Sequence, residues 1–175
     1  MLSLISLTLL CTSPADAADI SNPDPLIKQA FQLCKQGKVQ EARELAAQAV
    51  GKDPNDWLAH ESLSYFSWLQ GDVVRATAEA QRAAVLGPDQ EIVFTNLGQI
   101  YEQLYQYSNA IPEYDRATKI APDDWIPWIG LARCFVLNNN ARDGYAVLRH
   151  MESQEGQRFD WYYQIGRTYL HMDRA

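Results

Sequence analysis

The hydrophobic positions of this chain come in Ala-rich runs closed by a proline, and the closures keep time: Pro54, Pro88 and Pro122 stand 34 residues apart. A fixed period of this length marks a repeated supersecondary unit. Laid out at that period, large apolar residues share one column (Leu63, Leu97, Leu131, Ile165). They share a second (Leu33, Tyr101, Phe135, Tyr169), with Gln29 and Ser67 as polar interruptions. Two other columns are small throughout: Ala42, Ala76, Ala110, Gly144, and Ala30, Ser64, Gly98, Ala132, Gly166. Helices whose axes approach to about 8 Å need small side chains where they cross. Each period therefore predicts two antiparallel helices, the small columns marking their contact and the large ones the core. No segment reads as a strand, so the fold class is all-α.

The boundaries carry their own chemistry. Gly37, Gly71, Tyr105, Asn139 and Asp173 fill the column between the two helices, mostly residues that accept tight-turn or left-handed geometry. Asp56 and Asp124 precede Trp57 and Trp125, where an Asp side chain can cap the free N–H groups of a starting helix. Pro112 falls in the opening turn of a second helix, where it forfeits one early backbone bond and is tolerated.

The third copy holds Phe94, Leu97, Gly98, Tyr101, Tyr107, Ala110, Tyr114, Ala117 and Pro122. That skeleton resembles the tetratricopeptide repeat, a helix-turn-helix unit of the same length. The resemblance runs through the chain from residue 23. It is thinnest in the first repeat, where Gln29 takes a core slot, and in the fourth, where Gly156 replaces the closing proline. It implies an α-solenoid, a right-handed superhelix of four repeats at 23–56, 57–90, 91–124 and 125–158. The first helix of a fifth, incomplete repeat follows at 159–175. Ile165, Gly166 and Tyr169 keep their slots with no partner helix after them. The expectation is that the array continues in a longer protein, or that another surface, including a second copy of the chain, covers residues 159–172.

Ahead of the repeats, an apolar run from Leu2 to Leu10, a break at Pro14 and the small-x-small site Ala15-Asp16-Ala17 read as a secretory signal peptide over 1–17, with a short linker at 18–22. The run is too short to span a bilayer, so no integral membrane segment is expected after cleavage. The expected location is the bacterial periplasm or outside the cell, and the cytoplasm if the leader stays. Cys34 and Cys134 lie about three repeats apart, beyond disulfide reach, and read as small buried hydrophobes. With 47% apolar and 21% charged residues the chain has the composition of a globular protein. Its formal charge of −7, with Lys and Arg scattered, gives no electrostatic basis for nucleic-acid binding.

The resemblance places function on a concave face lined by first helices. One groove column reads Phe31, Tyr65, Gln99, Arg133, Arg167. A second reads Cys34, Trp68, Glu102, Val136, Leu170, and a third Ile27, Glu61, Thr95, Ile129, Tyr163. Phe31, Tyr65 and Trp68 form an aromatic section suited to an apolar side chain of a peptide. Arg133 and Arg167 stand on adjacent first helices and can converge on a carboxylate or phosphate. The same residues admit another reading, in which Arg133 pairs with Glu102, Arg167 pairs with Asp160, and the aromatics pack repeat to repeat. The Lys and Asn clamp with which some family members hold chaperone tails is absent, Asn96 being its main polar survivor. The candidate partner-binding residues are thus Phe31, Tyr65, Trp68, Asn96, Gln99, Arg133, Tyr163 and Arg167.

Catalytic patterns fail. His60-Glu61 begins like a zinc-protease motif, but Ser64 stands where the second His is required. No cofactor motif is found. The function expected is a non-catalytic scaffold that binds a protein or peptide. The other class is the recruiting arm of a longer enzyme whose catalytic domain lies beyond Ala175.

Overall fold

The computed structural model describes residues 23–153 and Thr168, so the leader and most of the last expected helix lie outside the described residues. The described chain folds into eight helices: α1 (Pro25–Lys35), α2 (Val39–Lys52), α3 (Trp57–Leu69), α4 (Val73–Leu86), α5 (Glu91–Gln103), α6 (Tyr107–Ile120), α7 (Trp125–Leu137) and α8 (Ala141–Ser153). They belong to two compact units that divide between Pro88 and Asp89. In each unit every helix packs on the next, and in the second unit α5 also touches α7. No helix among the described residues is long and apolar enough to cross a membrane.

The four turns inside the helix pairs share one construction. Gly37, Gly71, Tyr105 and Asn139 have φ of 80°, 78°, 59° and 59°. The residue after each closes back on the helix, as in the 2.9 Å bond from the Lys38 N–H to the Leu33 carbonyl. The corresponding Gln106 to Tyr101 bond is also 2.9 Å. A left-handed residue followed by such a bond satisfies carbonyls that the helix end leaves open. Glycine adopts this geometry without penalty, whereas Tyr105 adopts it with a Cβ and an 80% exposed ring.

Helix starts are capped as the Asp positions imply. Asp24, Asp56 and Asp124 accept from the N–H groups of Leu26, Leu58 and Ile126 at 2.8–2.9 Å. Asp72 accepts from Arg75 at 3.2 Å. Pro112 sits deeper than its expected opening-turn position, well inside α6, and the helix runs through it on an exposed side. There the Ser108 carbonyl freed by the missing N–H can meet water.

In the first unit Ala42, Ala46 and Ala49 of α2 and Ala76, Ala80 and Ala83 of α4 are the buried residues of their helices. They let α1 and α3 bring Ile27, Phe31, Leu58, Leu63 and Phe66 into the core. Helix α3 is buried nearly all round and carries polar groups inside. Ser64 donates to the Ala76 carbonyl at 2.8 Å, which ties α3 to α4. His60 lies between the Glu79 carboxylate (2.7 Å) and the Pro54 carbonyl (3.1 Å). A carbonyl only accepts, so Nε2 is the donor in the contact with Pro54.

The second unit is built around one ring. Tyr114 of α6, 1% exposed, lies against Gly98 of α5 and Gly130 of α7. A Cβ on Gly98 would stand 3.0 Å from the ring, and one on Gly130 within 2.6 Å of Cε1. Gly130→Ala is therefore expected to destabilise the protein by about 3 kcal/mol in urea unfolding, and Gly98→Ala by about 1 kcal/mol. In the same assay Tyr105→Gly should stabilise by about 0.5–1 kcal/mol, because relief of the left-handed backbone outweighs glycine's greater unfolded-state freedom.

Candidate partner-binding site

Inside the second unit, the C-terminal half of α5, the turn after it and the C-terminal half of α7 enclose a cavity of about 390 Å³. Helical spacing puts Gln99, Glu102 and Gln103 on one side of α5 and sets Arg133 and Leu137, four residues apart, on α7. The left-handed turn delivers Tyr105, and the first residue of α6 delivers Tyr107. The two tyrosine rings meet nearly edge to face, with centroids 6.3 Å apart at 84°.

An ion pair forms the floor. Arg133 grips Glu102 with both arms of its fork, Nε to Oε1 and Nη2 to Oε2, the latter at 2.7 Å. The Tyr114 hydroxyl donates to Oε2 at 2.9 Å. Glu102 is 13% exposed and Arg133 42%, so the carboxylate is covered while one edge of the guanidinium faces outward. The bond to Glu102 holds the Arg133 guanidinium above its ordinary value, and burial pushes the Tyr114 phenol up, with the Glu102 charge adding to it. The neighbouring Cys134 thiol is pushed up to about 12 by burial first and by Glu102 second. Arg133 Nη1 and the side chains of Gln99, Gln103, Tyr105 and Tyr107 form no hydrogen bond among the described residues.

Of the residues expected from sequence, Gln99 and Arg133 come together at this cavity, and half-buried Asn96 lies one turn back on α5. The pairing of Arg133 with Glu102 is the arrangement found. Phe31, Tyr65 and Trp68 belong to the first unit. Phe31 is 4% exposed, stacked on Tyr65 at 6.0 Å and tilted against Phe66 at 5.0 Å, while Tyr65 and Trp68 are half-buried. Tyr163 and Arg167 lie outside the described residues. The third groove column is corrected: Ile27, Glu61, Thr95 and Ile129 are all buried, because they face the interior of their units. Gln103, Tyr107 and Leu137 were not singled out as site residues, and Tyr105 was read only as a turn residue. An aromatic in a column where glycine stands twice was the available signal.

Tetratricopeptide repeat family models match residues 33–91 and 93–124, together more than half of the chain. This is a tetratricopeptide-repeat protein. Solved structures agree on the fold. A tetratricopeptide-repeat protein of Parabacteroides merdae superposes with a TM-score of 0.71 at 18% identity, over 91% of this chain and 62% of that one. YrrB, described as a tetratricopeptide-repeat protein with an unusual peptide-binding site, gives 0.68 at 18% identity over 93% and 84%. MamA gives 0.67 at 19% over 76% and 73%. A search of curated protein sequences finds no match. The fold class is thus the all-α repeat solenoid, and the repeats make the protein an interaction scaffold.

The raised Cys134 value has a pH signature. Between its ordinary value of 9.0 and about 12, the unfolded chain releases the thiol proton while the folded one keeps it. Stability must fall as pH rises through that window. Cys134→Ala should flatten the fall in unfolding midpoints measured from pH 9 to 12, and an unchanged slope would contradict the burial of the thiol.

Proposed function

We propose that this tetratricopeptide-repeat protein is a non-catalytic scaffold that holds an extended segment of a partner protein, seated in the cavity between α5 and α7 of the second unit. The observation that carries this reading is the set of unengaged groups around a fixed floor. Arg133 Nη1, Gln99, Gln103, Tyr105 and Tyr107 converge on one cavity without hydrogen bonding to one another. Preorganised polar groups beside exposed aromatic surface are what a binding site requires. The Glu102–Arg133–Tyr114 bonds hold the floor in one geometry, which lowers the ordering cost on binding. YrrB's peptide-binding site is in keeping with the reading at the level of fold alone.

The proposal includes export, for which the support is the Leu2–Leu10 run and the Ala15-Asp16-Ala17 site. It assigns no nucleic-acid ligand. Tyr65, Trp68 and Asn96 remain proposed contacts of secondary weight, as do Tyr163 and Arg167, whereas Phe31 is closed into the core and is not among them.

A photo-crosslinking residue placed at Gln103 in the native host should capture a defined partner, whereas the same residue at exposed Gln48 on α2 should not. Equal capture at both positions would sink the reading. Mass spectrometry of protein purified from that host should find the mature chain starting at Ala18, and an intact Met1 would remove export from the proposal.

A further inference from the structure

Resting on that reading, the lining of the cavity narrows the class of segment it accepts. We infer that the cavity binds a proline-containing segment in the polyproline II conformation. The first argument is charge. Both oxygens of Glu102 are engaged by the Nε and Nη2 edge of Arg133, so the floor is neutral as a unit and carries no net positive charge to draw an acidic segment.

The second argument is the balance of donors and acceptors. The lining offers donors to a peptide carbonyl in the Gln99 and Gln103 amides, Arg133 Nη1 and the hydroxyls of Tyr105 and Tyr107, although the Gln and Tyr groups can also accept. Its strongest acceptor, the Glu102 carboxylate, already accepts from Arg133 and Tyr114. A strand-like peptide brings a row of backbone N–H groups, for which only the neutral Gln and Tyr oxygens are left to accept. A proline-containing segment presents carbonyls, lacks N–H groups at its prolines and arrives pre-extended.

The third argument is shape. The rings of Tyr105 and Tyr107, set at 84°, form two walls of a corner that a puckered pyrrolidine can fill, with Leu137, 37% exposed, in the same lining. Tyr105 also stands in the left-handed region where Gly37 and Gly71 stand in the first unit. Its 80% exposed ring gains little packing in return. A residue kept in an unfavourable backbone state while its side chain faces solvent points to use by a ligand.

The test is calorimetric titration of the full chain with oligoproline and, separately, with oligoglutamate of equal length. Oligoproline should bind and oligoglutamate should not. Tyr105→Gly should weaken oligoproline by about tenfold without lowering the thermal midpoint, which separates lost contact from lost fold. Tyr105→Phe, which keeps the ring, should retain binding. The inference is overturned if oligoproline does not bind, if oligoglutamate binds as well, or if Tyr105→Gly leaves the affinity unchanged. Should oligoproline fail while the Gln103 cross-linker still captures its partner, the ligand class is wrong and the scaffold reading stands. Failure of both removes both.

Discussion

Everything in the second unit depends on a tyrosine ring lying where two helices present no side chain. Tyr114 reaches from α6 to Gly98 on α5 and Gly130 on α7, closer than a Cβ on either helix would allow. The ring fixes how near α5 and α7 come, and its hydroxyl ends at Glu102. That in turn brings Glu102 within reach of Arg133 on the facing helix. A packing constraint in the core thereby determines an ion pair at the surface, and the ion pair forms the floor of the cavity.

The two units solve the same packing problem with different chemistry. The first unit uses alanines at its crossings and buries several polar side chains on α3. Ser62 and Ser67 in it are fully buried, with hydroxyls that have no partner among the described residues. Buried groups of this kind subtract from stability, and the bonds made by His60 and Ser64 to α4 and to Pro54 offset part of the loss. In the second unit aromatic side chains also take polar partners. Arg116 covers the Phe94 ring at 4.1 Å, and the Trp128 indole donates to the Pro122 carbonyl at 3.0 Å. Exposed aromatic surface beside unengaged polar groups is the feature of the second unit on which the proposed site rests.

The period, the turn column and the caps could be read from sequence because each depends on residues close together in the chain. Gly37, Gly71 and Asn139 are suited to the left-handed turn by themselves, and Asp56 and Asp124 cap the helix immediately following. Gly98 was legible as a small residue at a crossing, but the ring that needs it was not. Gly130 carried no such mark, since its role depends on where a side chain sixteen positions earlier ends up. The groove columns were partly legible for a related reason. Stepping by 34 residues finds equivalent positions, yet equivalence of position does not fix exposure, and within one column Phe31 turns inward while Gln99 turns out. The Glu102–Arg133 pair was one of two readings open in the sequence, and only the spacing of α5 from α7 decides between them.

Among the described residues each unit also contains one buried cysteine, Cys34 in the first and Cys134 in the second, neither in a disulfide. A thiol under the surface reacts with an alkylating reagent only when the helices over it part. The protein therefore carries two internal clocks, one per unit. The rates at which the two sulfurs are labelled report separately how often each unit opens around its thiol, with no residue changed.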